Sequence, residues 1–94
     1  MNPGVAGLHY AITGGASGFG FAIARQLVTE GATVTLLGRR GDALDTAREE
    51  IGRDHVHTVV CDISNAADVR WAFAQLKTLD GLVNNAGVAR PGAI

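Results

Sequence analysis

The sequence predicts an α/β fold built on a doubly wound parallel sheet, and three observations carry that prediction. Short apolar, β-branched runs alternate with stretches of helical spacing. The connections between them are only a few residues long. A glycine-rich corner, TGGASGFG at 13–20, stands between the first run and the first helical stretch. The resulting order β-α-β-α-β-α-β implies parallel strands, right-handed crossovers and helices on the faces of the sheet. With 94 residues the chain makes one domain at most. No repeat, low-complexity segment or linker divides it, so 1–94 reads as a single unit.

Leu8 to Thr13 forms the first strand, ended by Gly14-Gly15. Phe19, Ile23 and Leu27, with Ala24 and Val28, make the stripe of a first helix that stops at Gly31. Thr33 to Leu37 is β-branched and apolar, a second strand. Asp42 reads as the N-cap of a charged second helix, with Leu44, Ala47 and Ile51 on its inner face and Gly52 at its end. Val56 to Cys61 is the third strand. A third helix starts at Asn65, with Asp68 three residues on, or at Ser64. Its stripe is Val69, Phe73 and Leu76, and Lys77 takes a solvated position on it. Gly81 to Asn84 closes the series as the fourth strand.

Composition narrows the function. At 47% hydrophobic and 18% charged residues, this is a folding chain. A net charge of −1, with Arg39-Arg40 as the one adjacent basic pair, argues against nucleic acid as a partner. Cys61 is the single cysteine, which fits a small buried side chain at a strand end in a reducing cytoplasm. The first 24 residues carry no Lys, Arg, Asp or Glu, and Ala22-Ile23-Ala24 imitates a signal-peptidase site. The basic start of a secretory signal is missing, however, and glycines interrupt the apolar run. Nothing approaches the ~18 apolar residues needed to span a membrane, so a cytoplasmic, unexported protein is expected. His9, His55 and His57 flank strands without the spacing of a metal set.

The corner itself suggests a phosphate site. In an open parallel sheet, ligands bind outside the carboxyl ends of the strands. A helix N-terminus there offers unpaired N–H groups and partial positive charge. Small side chains let the backbone turn and let a pyrophosphate approach closely. Six of the seven residues 14–20 are small. The spacing is neither a P-loop, since Phe21 follows Gly20, nor G-x-G-x-x-G, since Ile23 stands in the third glycine's place. What remains is T-G-x-x-x-G-x-G, and a plain tight turn would explain it equally well.

The second strand's end weighs on that choice. Leu37-Gly38-Arg39-Arg40 falls roughly 20 residues past the last glycine, where dinucleotide folds discriminate between cofactors. An acid there bonds the ribose hydroxyls of NAD and repels a 2′-phosphate. Two guanidiniums favour NADP instead, at about 1.5–3 kcal/mol per charge-assisted bond, or roughly ten- to a hundredfold. A solvated arginine pair on a loop is the competing reading. Ser17 would add a hydroxyl contact to the corner's phosphate.

Thr13-Gly14-x-x-x-Gly18-x-Gly20, Cys61-Asp62-Ile63 and Asn84-Asn85-Ala86-Gly87, in this order and spacing, closely resemble the short-chain dehydrogenases/reductases. The resemblance implies a Rossmann-like sheet of order 3-2-1-4-5-6-7. It implies that Gly14, Gly18 and Gly20 line the pyrophosphate with the Phe19 N–H. Arg39, with Arg40 beside it, would hold the 2′-phosphate. Asp62 would bond the adenine amino group, with Ile63 packed beside the ring. Asn85, Ala86 and Gly87 would pass near the ribose, while Asn84 and Thr13 tie the fourth strand to the first. The match covers essentially the whole chain, yet only the amino-terminal part of the family's domain.

The family's catalytic Ser and Tyr-x-x-x-Lys come later than Asn-Asn-Ala-Gly. The only tyrosine here is Tyr10 and the only lysine Lys77, so no residue is nominated as catalytic. The expected function is the NADP(H)-binding front of an oxidoreductase, inactive alone. A nucleotide-binding module completed by a partner chain and a gene fragment without function are the alternatives. A sheet stopping after its fourth strand would expose Leu82 and Val83, favouring marginal folding, self-association or completion by another chain.

Overall fold

The computed structural model describes residues 4–16 and 18–85. Along the chain run β1 (His9–Thr13), α1 (Gly18–Thr29), β2 (Thr33–Gly38), α2 (Gly41–Ile51), a 3-10 turn (Arg53–His55), β3 (Val56–Val60), α3 (Ala66–Ala74) and β4 (Gly81–Asn84). The strands form one sheet of order β3-β2-β1-β4 with every pairing parallel. This is the Rossmann-like α/β arrangement expected, its first strand beginning one residue later and its third ending one residue earlier than the sequence suggested.

Two apolar clusters show why the sheet is wound on both faces. Ile12, Val34, Leu36 and Val56 point to one side, where they meet Ala24 of α1 and Leu44 and Ala47 of α2. Ala11, Leu37 and Cys61 point to the other, where Ala72 of α3 covers them. Alternate residues of β1 and β2 thus serve opposite cores, which is why adjacent residues of each strand, Ala11-Ile12 and Leu36-Leu37, are buried together. Each large side chain fully buried in this way contributes about 1.5–3 kcal/mol.

The helix ends are closed by local bonds. After α1, the Gly31 N–H donates to Val28 O at 3.0 Å and the Ala32 N–H to Leu27 O at 2.9 Å, the paired pattern of a Schellman stop. At α3 the Asn65 side chain accepts the Asp68 N–H at 2.9 Å, which settles the cap on Asn65. Ser64 instead turns its hydroxyl to Asp62.

Four expectations need correction. The N-cap of α2 is Arg40, with no side-chain cap bond; Asp42 lies inside the first turn, where its negative charge still suits the helix dipole. Phe19 is 75% exposed, while the inward side of α1 runs from the buried Gly20 through Phe21, Ile23, Ala24, Leu27 and Val28. On α3 the fully buried residue is Ala72, while Val69 is half-buried; Phe73 and, past the end of the helix, Leu76 pack against the same cluster as expected. Lys77 is not helical, since α3 ends at Ala74. The chain must leave the helix there to set Asp80 beside His9, whose N–H donates to Asp80 Oδ2 at 2.8 Å while the Asp80 N–H donates to His9 O at 2.7 Å.

Candidate functional site

The glycine corner joins β1 to α1 and is built from close backbone approaches. Gly14 and Gly18 take φ of 65° and 52°, values that favour glycine. The Gly14 N–H donates to Leu37 O at 2.8 Å, fastening the corner to the end of β2. Gly20 is buried beneath it: a Cβ there would collide with the Gly14 carbonyl oxygen and lie 2.9 Å from Asn85 Nδ2. Asn85 in turn donates from Nδ2 to Gly14 O at 3.1 Å. Beside it, Thr13 Oγ1 donates to Asn84 Oδ1 at 3.0 Å, joining β1 to β4. Both asparagines are therefore partnered, although Asn84 is exposed and Asn85 half-buried at this edge of the sheet. A Cβ at Gly18 would meet nothing within 4 Å, so the start of α1 faces open space.

A cleft of about 650 Å³ opens at this end of the sheet. Gly14 and Ala16 form one wall, Gly38, Arg39 and Arg40 a second, and Asp62, Ile63 and Ser64 a third, over Leu37, Ala43 and Leu44. It lies outside the carboxyl ends of β1, β2 and β3, where an open α/β sheet places its ligand.

Charge in the cleft is organised around Asp62. Its Oδ1 accepts the Ser64 hydroxyl at 2.7 Å and the Ser64 N–H at 3.0 Å. These bonds, helped by the positive charge of Arg39, hold its carboxyl below the usual range against the opposing effect of desolvation. The Asp62 N–H donates to Asp68 Oδ2 at 2.6 Å, so a residue of α3 fixes the loop that presents Asp62. Next to it, burial pushes the Cys61 thiol up, and the charges of Asp68 and Asp62 add to that. Arg40 donates from Nη2 to Asp42 Oδ2 at 3.2 Å.

Of the residues singled out from sequence, Gly14, Arg39, Arg40, Asp62 and Ile63 line this one cleft. Gly18 borders an adjoining groove, Phe19 is exposed beside the corner, and Gly20 and Asn85 lie under it. Ser17, Ala86 and Gly87 lie outside the described residues. Gly15, Asp68 and Ser64 were not among the expected site residues. A Cβ at Gly15 would sit 2.7 Å from Leu36 Cδ2, a long-range packing constraint that no local pattern displays. Asp68 carried a visible signal as a capping partner, but its carboxylate serves Asp62 rather than Asn65. Among the described residues no group of three His, Cys, Asp or Glu side chains could hold a metal ion, and no helix is long and apolar enough to cross a membrane.

Comparison with known proteins agrees with this geometry. The family model for short chain dehydrogenase matches residues 9–94. The chain is 37% identical over 84 residues to the short-chain dehydrogenase/reductase VdtF of Byssochlamys spectabilis, covering 85% of this chain and 28% of that protein. It is 39% identical over 82 residues to the NADP-dependent 3-hydroxy acid dehydrogenase YdfG of Salmonella typhi, covering 83% of this chain and 33% of the relative. Among solved structures, the Pseudomonas aeruginosa RhlG/NADP active-site complex superposes with a TM-score of 0.81 at 31% identity, over 95% of this chain and 39% of that one. The chain belongs to the short-chain dehydrogenase family. It spans roughly a third of the length of the curated relatives it matches.

Proposed function

We propose that this chain is the NADP(H)-binding portion of a short-chain oxidoreductase, whose complete domain exchanges hydride between nicotinamide and an alcohol or ketone. The observation that carries the reading is the cleft: a glycine corner, two arginines at the end of β2 and an ionised Asp62 stand around one opening. Open space at Gly18 leaves room for a pyrophosphate at the start of α1, where a helix offers unpaired N–H groups and where Ser17 would add a hydroxyl contact. Arg39, with Arg40 beside it, would take the ribose 2′-phosphate. Asp62 would accept from the adenine amino group with Ile63 against the ring, and the segment Asn85, Ala86 and Gly87 would run past the ribose. A relative described as NADP-dependent and a neighbour solved with NADP support the choice of cofactor.

A bound nicotinamide would supply or accept the hydride. The residues here bind and orient; with one tyrosine and one lysine far from a Tyr-x-x-x-Lys spacing, none is assigned as the proton donor. Charge and composition favour a cytoplasmic protein that takes no nucleic acid.

Arg39→Gln tests the assignment. The substitution is expected to weaken NADPH binding by about ten- to a hundredfold, the worth of a charge-assisted bond, while NADH binding stays within about twofold. NADPH affinity that is unchanged, or that falls no more than NADH affinity, would remove Arg39 from the phosphate site.

A further inference from the structure

The two arginines at the end of β2 differ in their surroundings. Arg39 lines the dinucleotide cleft, and its charge acts on Asp62. Arg40 lines both that cleft and a second groove of about 400 Å³ between α1 and α2, where Asp42, Thr46 and Glu50 stand. Asp42 borders the second groove alone of the two. Its Oδ2 accepts from Arg40 Nη2 at 3.2 Å, and its Oδ1 accepts the Ala43 N–H at 2.9 Å. The carboxylate thus joins the guanidinium to the first turn of α2, outside the lining of the cleft. The ion pair keeps Asp42 ionised below the ordinary carboxylate range, chiefly through the Arg40 hydrogen bond.

We propose that Asp42 is a positioning residue for cofactor selectivity: it holds Arg40 toward the α1–α2 groove, leaves the 2′-phosphate chiefly to Arg39, and so limits affinity for 2′-phosphorylated nucleotides. This rests on the dinucleotide reading of the cleft and deepens it. Both partners are about three-quarters exposed, at 76% and 75%, and exposed pairs are weak. Losing the pair therefore costs the fold little, whereas a freed guanidinium meets a phosphate as a stronger, charge-assisted partner.

The test uses the full-length chain and two probes that need only the adenosine end of the site, adenosine 2′,5′-bisphosphate and AMP, titrated by calorimetry. Asp42→Asn and Asp42→Ser are both expected to bind the bisphosphate about fivefold more tightly than the unsubstituted chain, with AMP affinity unchanged. Adding Arg40→Gln to Asp42→Asn is expected to abolish that gain, since the two effects are coupled through one contact. Bisphosphate affinity that is unchanged or lower in both Asp42 variants overturns the proposal. So does a gain that survives Arg40→Gln, because removal of bare negative charge would then explain it. If the unsubstituted chain binds neither probe, the dinucleotide reading itself falls, and the inference with it.

Discussion

At Gly20 the requirement for glycine comes from the protein's own backbone. The Gly14 carbonyl oxygen occupies the place a Cβ would need, and Asn85 Nδ2 closes the remaining side. Gly20→Ala must push the corner open, at about 1–3 kcal/mol for overpacking. Since each kcal/mol moves the midpoint of a domain this size by about 4–8 °C, thermal denaturation should show a drop of several degrees; an unchanged Tm would mean that the corner yields freely. Asp62 makes a different claim, about pH. Its carboxyl is depressed below its ordinary value of 3.8 by the two Ser64 bonds first and Arg39 after them. A depressed acid contributes stability that is present above its unfolded pKa and lost as pH falls through the folded value. The Tm difference between the unsubstituted chain and Asp62→Asn should therefore be constant above about pH 5 and shrink below pH 3.8. A difference that grows on acidification would contradict the assignment.

Among the elements, α3 shows most clearly how capping chemistry serves the site. Asn65 caps it, and Asp68 in its first turn reaches past the cap to the Asp62 N–H. Asn65→Ala should cost about 1 kcal/mol, while Ser64→Ala, which removes an exposed bond to Asp62 and no helix cap, should cost clearly less. Chemical denaturation of the two variants distinguishes the roles, and equal losses would contradict them. The strands, the helices and their order were legible because apolar period and glycine stops are local signals. Gly31 and Gly52 ended their helices where the sequence placed the stops. Asp42 was misplaced because a short acid before an apolar stripe looks the same as a cap whether it stands at Arg40's position or two residues later. Phe19 was misplaced because α1 emerges from an open corner with Gly20 on its inward side and Phe19 turned to solvent. The motifs singled out Gly14, Arg39, Arg40, Asp62 and Ile63, which line one cleft, but the braces behind them, Gly15 on Leu36 and Asp68 on Asp62, join segments that only the fold brings together.

Across the whole molecule, the two ends of the sheet do different work. At the amino end the His9 ring is shared between the Thr78 carbonyl and the Thr35 hydroxyl, the latter at 2.7 Å, and ties β1 to β2 and to the approach to β4. At the carboxyl end the same strands part around the cleft, with one apolar cluster on each face holding them in register. That division leaves the carboxyl end free to carry charge, and Arg39 and Arg40 at its rim are what the proposed NADP(H) preference rests on. The most direct test is a calorimetric titration of the unsubstituted chain with NADPH and with NADH at low ionic strength, where charge contacts are least screened. The proposed preference requires NADPH to bind at least tenfold more tightly, with the advantage shrinking as salt is added. Equal affinities, or tighter binding of NADH, would contradict it.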